Sequence, residues 1–168
     1  MPLEIERKFL VSQLPDGLRS YRRIRQSYLQ SDPTKSVRVR IIDAHNKQPS
    51  KAFLTIKGAA DIGHFARPEF EYEIQRADAE TMMAWCDHPP IEKKRYLYHH
   101  ENTLWEIDEF LGSNAGLLLA EVELEKETDR FFLPKFLSRE VTADPKYFNL
   151  YLAYHPYTSW TNKEKETV

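Results

Sequence analysis

The stretch EIERK, near the start of the chain, sets Glu4, Glu6 and Lys8 two positions apart. A β-strand sends alternate side chains to one face. Two carboxylates and an ammonium would therefore share a face, with Leu3, Ile5, Arg7 and Phe9 on the other. Clustered carboxylates bind hard divalent cations through oxygen, and ammonium or guanidinium groups bind phosphates. Taken alone, the stripe also fits the solvated outer face of a half-exposed antiparallel sheet.

The pattern recurs along the chain. KSVRVRIID puts Arg38 and Arg40 in one phase, with Val37, Val39 and Ile41 in the other. KAFLTIKG holds Lys57 in phase with Phe53 and Thr55. RPEFEYEIQ lines up Arg67, Glu69, Glu71 and Glu73 opposite Phe70, Tyr72 and Ile74. EKKRYLYHH contributes Lys93 and Arg95, and NTLWEIDEF contributes Glu106 and Asp108 opposite Trp105 and Ile107. LLLAEVELE ends the series with Glu121, Glu123 and Glu125 opposite Val122 and Leu124. Ordinary outer faces mix Thr, Ser and Gln with both signs of charge. These stripes are nearly pure charge and mostly of one sign per strand, although like charges on one face repel. The apolar phase is rich in aromatic and β-branched residues that could pack under helices. A barrel turned inside out accounts for this, with a charged lumen and an apolar exterior. A lumen with about ten carboxylates and at least about six cations is intolerable when dry. Water, metal ions and a polyanion would have to fill it, which describes a site for a phosphate chain and its metals.

The elements that must position these residues are short strands joined by turns. Eight stretches read as strands: EIERKFLV, RIRQSYLQ (ended by Ser31-Asp32-Pro33), KSVRVRIID, KAFLTIKG, RPEFEYEIQ, EKKRYLYHH, NTLWEIDEF and LLLAEVELE. AHNKQPS reads as a turn, and AADIGHFA and LGSNAG as connectors. The spacing of Ala79, Met82, Met83 and Cys86 predicts a helix, opened near Arg76–Asp78 and ended by Pro89-Pro90. A second helix is expected over DPKYFNLYLAYH, with Asp144 at its cap and Pro145 at its first position. Short helices are also expected after Glu125 and within LPKFLSREV, and TNKEKETV reads as an unstructured tail. The expected fold is mainly β (α+β): an eight-stranded antiparallel closed β-barrel with a charged lumen and helices packed outside. Residues 1–155 would form a single domain and 156–168 a tail.

Composition narrows the function. The chain has 168 residues, and its 24 basic side chains nearly balance 26 acidic ones, for a formal charge of -2. That balance argues against a general nucleic-acid binder. One cysteine, Cys86, allows no internal disulfide and suits a reducing compartment. No apolar run approaches the roughly 20 residues of a membrane span, and charge at Glu4 argues against a signal peptide. The expected location is the cytoplasm. Histidine chemistry is not indicated, because His99 and His100 would face opposite ways. Cys86 sits among apolar neighbours as a packing residue, and LGSNAG lacks the phosphate-loop pattern. The aromatics, including Trp85, Trp105, Tyr28, Phe70 and Tyr72, read as core.

EIERK, VRVR, LTIKG, EFEYEI, IEKKRY, WEIDEF, AEVELE and EVTADPKYFN, in this order, resemble the successive motifs of the CYTH family, or triphosphate tunnel metalloenzymes. The resemblance covers about residues 1–155. It implies an eight-stranded tunnel that binds triphosphates with divalent metal, Mg²⁺ or Mn²⁺ and two ions. It further implies metal ligation by Glu4, Glu6, Asp108, Glu121 and Glu123. Phosphate binding would fall to Lys8, Arg38, Arg40, Lys57, Lys93, Arg95 and Lys146, the last at a position where the family often has Arg. Glu69 and Glu71 would line the tunnel at the second metal, with Lys8, Glu6 and Glu71 as catalytic candidates. Arg23, Arg25, Glu73, Glu106 and Glu125 stay open. Small bacterial members similar to this one imply metal-dependent hydrolysis of inorganic tripolyphosphate to pyrophosphate and phosphate. The alternatives are a class IV-type adenylate cyclase, a thiamine triphosphatase, or a non-catalytic polyphosphate or nucleotide binder. No nucleic-acid or membrane partner is expected, and a homodimer through the outer apolar faces is left open.

Overall fold

The structure, a computed structural model, describes residues 3–32, 34–59 and 66–166. Pro33, most of the AADIGHFA connector and the last two residues of the expected tail lie outside these. The described chain forms nine strands: β1 (Leu3–Val11), β2 (Arg22–Asp32), β3 (Lys35–Ile42), β4 (Lys51–Gly58), β5 (Ala66–Ile74), β6 (Ile91–His100), β7 (Thr103–Phe110), β8 (Leu118–Glu123) and β9 (Leu137–Glu140). Its helices are α1 (Arg76–Ala84), α2 (Asn149–Tyr154) and α3 (Asn162–Glu166). Neighbouring strands run antiparallel in the order β5-β4-β3-β2-β6-β7-β8-β1, and β5 returns to β1 through Leu3↔Pro68, Glu4↔Arg67 and Ile5↔Ala66. The eight-stranded closed barrel expected from the charge stripes is present.

β9 is the ninth strand. It pairs with β1 at Phe9 and Val11, on the edge that β5 uses only as far as Ile5. LPKFLSREV was expected to hold a helix; the free edge of β1 makes it a strand instead, because tertiary pairing outweighs local propensity. The helix expected after Glu125 is a turn, whose Asp129 carboxylate accepts from the Glu125 and Lys126 amides. The DPKYFNLYLAYH helix is split. Asp144 caps a 3₁₀ turn at Pro145–Tyr147, and α2 follows from Asn149. The tail expected to be unstructured is helical through α3 as far as residue 166.

Because directly paired residues share a face, the register assigns the inside. Glu6 faces Glu123, Lys8 faces Glu121, Arg95 faces Asp108, Arg38 faces Thr55, and Lys57 faces Glu69. The charged phase is therefore the interior. The apolar phase is the exterior, and it is covered in two ways. α1 lays Ala79 and Met83 on Val39, Ile41 and Ala52. Over β1, β6, β7 and β8, loop residues such as Leu14, Phe131 and Phe136 pack on Phe9, Trp105, Ile107 and Val122. A third cluster closes part of one end of the barrel. Inward Tyr28, Ile91, Phe110 and Leu119 meet Tyr147, Leu152, Ala153 and Trp160 of the C-terminal segment. Residues 156–160, expected to start the tail, thus contribute Trp160 to the core. No helix among the described residues is long and apolar enough to cross a membrane.

Candidate active site

The barrel encloses a cavity of about 1460 Å³. Its lining runs from the β6–β7 turn (Asn102) to the β2–β3 and β4–β5 connections (Asp32, Ala59), which lie at opposite ends of the strands. It therefore runs along the length of the barrel. All the expected site residues except Asp108 and Lys146 line it.

The interior charges fall into three groups. Asp108, 1 % exposed, is the centre of the first. Arg95 forks onto both its carboxylate oxygens at 2.7 Å, and Lys93 donates to it from β6. Arg95 also reaches Glu121 at 2.9 Å and pairs with Glu106, while Lys8 pairs with Glu121 at 3.0 Å. Burial alone would raise the Glu121 carboxyl, yet Lys8 and Arg95 hold it well below the usual range; Arg95 and Lys93 likewise lower Asp108. Burial opposes the Lys8 charge too, but Glu121 and Glu6 outweigh it and raise its pKa. Lys93 goes the other way: burial, with Arg95 beside it, pushes it down to about 8 despite Asp108.

Glu71 centres the second group. It accepts from Arg40 at 2.9 Å and from the Thr55 hydroxyl at 2.8 Å, with Arg38 at 3.5 Å. The Nε atoms of both arginines are buried and unpartnered. Gln26, fully buried on the inward phase of β2 opposite Arg40, leaves both ends of its amide unpartnered.

The third group lies where β5 closes on β1. Lys57 donates to both oxygens of Glu4 (2.6 and 2.5 Å) and pairs with Glu69 at 2.6 Å. Arg67 Nε donates to Glu4 at 3.0 Å, and its terminal nitrogen stands 3.7 Å from Glu6. Glu123 differs from the rest. Among the described residues it has no cationic partner. Burial, then the carboxylates of Glu4, Glu106, Glu69 and Glu6, push its pKa up.

The expected metal set is thus divided. Asp108 and Glu121 are neutralised by cations on their own side of the barrel. Glu4, Glu6 and Glu123 crowd together, with Glu106 and Glu69 near them. As they stand, no three Asp, Glu, His or Cys side chains among the described residues surround a common point. The donor chemistry nevertheless fits a hard cation: every donor is a carboxylate oxygen, and among the described residues no cation pairs with Glu123.

Lys146 does not join the site. Its ammonium donates to the Glu164 carbonyl at 3.1 Å and lies 5.3 Å from the Trp160 ring. Tyr147 beside it is buried in the end cluster, and the tight turn sends Lys146 elsewhere. In exchange, the fold supplies residues that sequence reasoning passed over. Arg67 was visible in its stripe, but only the Glu4↔Arg67 register joins it to the carboxylates. Tyr28, read as core, also lines the cavity. Phe148 brings its ring to 5.9 Å from the Lys8 ammonium, and the Thr142 hydroxyl accepts from the Lys8 amide. Nothing in the local pattern marked these two.

A closed antiparallel barrel whose inside carries Lys and Arg side chains beside crowded carboxylates, of which Glu123 has no cationic partner among the described residues, defines a charged tunnel. The chain belongs to the CYTH family, whose domain matches residues 2–148. It is similar to the inorganic triphosphatase of Acetivibrio thermocellus, 42% identical over 164 residues that cover 95% of this chain and 99% of that protein. It is also similar to the inorganic triphosphatase of Nitrosomonas europaea, 35% identical over 153 residues covering 89% and 96%. A crystal structure of an inorganic triphosphatase superposes with a TM-score of 0.63 at 33% identity, covering 91% of this chain and 95% of that one.

Proposed function

We infer that the protein hydrolyses a triphosphate inside the barrel with the help of a divalent metal, and that its substrate is inorganic tripolyphosphate, released as pyrophosphate and phosphate. One observation carries the reading. A single cavity is lined by Lys8, Arg38, Arg40, Lys57, Arg67, Lys93 and Arg95 on one hand and by the Glu123-centred carboxylates on the other. The similarity to inorganic triphosphatases over nearly the whole chain supports it. A protein that only bound a polyanion would need far fewer carboxylates.

Glu4, Glu6 and Glu123, backed by Asp108 and Glu121, would hold Mg²⁺ or Mn²⁺, with Glu69 and Glu71 toward a second ion. Such a metal supplies neutralisation of phosphate oxygens and lowers the pKa of a water so that it can attack phosphorus near neutral pH. The chain's own part is positioning and electrostatics. Arg38, Arg40, Lys57, Lys93 and Arg95 take the phosphate oxygens, and guanidinium forks suit their geometry. Glu71 fixes Arg38 and Arg40 in place, and Glu121 does the same for Lys8. Lys8, held beside Glu6 and Glu121, would orient the attacked terminal phosphate. The bond between that phosphorus and the bridging oxygen breaks, and pyrophosphate leaves. A cytoplasmic location and a homodimer through exposed Ile56, Phe70 and Tyr72 on the outside of β4 and β5 complete the proposal. Sedimentation as a monomer would remove the dimer.

The test is a parallel assay of tripolyphosphate, ATP, thiamine triphosphate and pyrophosphate with Mg²⁺ and with Mn²⁺. Metal-dependent phosphate release, fastest from tripolyphosphate, is expected. Cyclic AMP from ATP, or binding without turnover, would overturn the reading.

A further inference from the structure

The interior cations differ in what they would lose if a metal took the carboxylates. Lys93 and Arg95 are tied to buried Asp108, and Arg38 and Arg40 to Glu71. Lys57 shares Glu4 but also holds Glu69 at 2.6 Å, so it keeps a counter-ion if Glu4 turns away. Lys8 and Lys93 also pair only with expected metal ligands, Glu6 and Glu121 for the one and Asp108 for the other, but both are buried. Among the described residues Arg67 likewise has no reserve: its carboxylate partners are Glu4 at 3.0 Å and Glu6 at 3.7 Å. Its side chain is also the most exposed of these cations, at 32%. Directly opposite Glu4 in the β1–β5 register, it lines the cavity beside both carboxylates.

A guanidinium and a divalent cation compete for Glu4 and Glu6, because like charges a few ångströms apart repel when water is scarce. As the tunnel stands, Glu4 is already paired with two protein cations, Lys57 and Arg67. We propose that Arg67 is an exchangeable counter-ion: it pairs with Glu4 and Glu6 in the metal-free tunnel and moves to a phosphate oxygen of the triphosphate chain when a divalent cation takes those carboxylates. This rests on the reading of the tunnel as a metal-dependent triphosphate site. Either ligand alone meets a cost. Metal alone strands Arg67, and triphosphate alone must draw Arg67 from its carboxylates. Together they exchange partners, so each strengthens the other, and by linkage the strengthening is equal in both directions. Arg67 is thereby a competitor of the metal in the empty tunnel and a binding residue for the substrate.

The experiment measures Mn²⁺ binding without substrate, from the free-ion signal in electron paramagnetic resonance, on the full chain. Wild type is compared with Arg67→Gln, Arg67→Met and Arg67→Lys, with circular dichroism to establish folding. Removing the competing charge in the Gln or Met variant is expected to tighten Mn²⁺ binding about fivefold, the upper end for a solvent-accessible ion pair. At saturating Mn²⁺ the same variants should raise KM for tripolyphosphate by about tenfold, with a smaller change in kcat. Arg67→Lys, which keeps the charge, should stay near wild type in both. Equal or weaker Mn²⁺ binding by folded Gln and Met variants overturns the exchange, as does tightening by Arg67→Lys. If the wild type itself binds no Mn²⁺ and releases no phosphate, the functional reading fails instead, so the two failures are told apart.

Discussion

Along four neighbouring strands the inward-facing residues change character in step. On β1 Glu4, Glu6 and Lys8 give way to Leu10; on β8 Glu123 and Glu121 to Leu119; on β7 Glu106 and Asp108 to Phe110; on β6 Arg95 and Lys93 to Ile91. Strand, face and alternation are the same, yet one end is charged and the other is core. The apolar end packs Phe110, Leu119 and Ile91 against Leu152, Tyr147 and Trp160. The charged end gains little net stability from its pairs, because desolvation offsets most of the attraction between buried charges. One end therefore holds the barrel together and the other is set up for ligands.

Breaking a buried pair should show the largest effect. Asp108→Ala leaves Lys93 and Arg95 facing each other without their shared carboxylate, and is expected to cost about 3–5 kcal/mol in denaturant unfolding, with loss of activity. An unchanged midpoint would mean that the charged end is looser and wetter than its burial implies. At the other end, Phe110→Ala should cost about 3–4 kcal/mol through the cavity it leaves, while kcat of the folded protein changes little. A large fall in kcat there would erase the distinction between the two ends.

Glu123→Gln reverses that pattern. Mn²⁺ affinity should fall at least about tenfold, with unfolding free energy within about 0.5 kcal/mol of wild type or slightly higher, since the change relieves repulsion from Glu4, Glu106, Glu69 and Glu6. A clear loss of stability would show that Glu123 has a structural partner. The smallest effect is one of pH. Lys93 is held down to about 8, so it is charged below that value and neutral above it. Its attraction for phosphate is present at lower pH and lost as pH rises through about 8. KM for tripolyphosphate should rise a few-fold across pH 7–9, roughly the weight of one charge–phosphate contact. Lys93→Arg should flatten that rise, and a profile unchanged by the substitution would place the titration elsewhere.

Much of this was legible before folding was considered. Strands with alternation as clear as VRVRI or EFEYEI keep their period, and the one-sign stripes announced an inside rather than an outside. α1 was legible because Ala79 and Met83 mark a helical face. β9 was not, since LSRE becomes a strand only where β1 leaves an edge free. That Lys146 stands on the Glu164 carbonyl and not on the cavity lining was not legible, because spacing carries no information about which way a 3₁₀ turn aims its side chains. Phe148 and Thr142 reach Lys8 across more than 130 positions of chain, a distance over which no local pattern speaks.

From its sequence alone this protein is committed to a charged phase and an apolar phase on the same strands. Alternation is a property of the extended backbone and needs no partner to be read. Which charge neutralises which, however, is decided by register. Glu4 meets Arg67 because β5 closes the barrel on β1, Asp108 meets Arg95 because β6 and β7 form a hairpin, and Glu123 lacks a cation among the described residues because its cross-strand neighbour is Glu6. Electrostatic energy depends on distances between strands far apart in the chain, and only the closed barrel sets those distances.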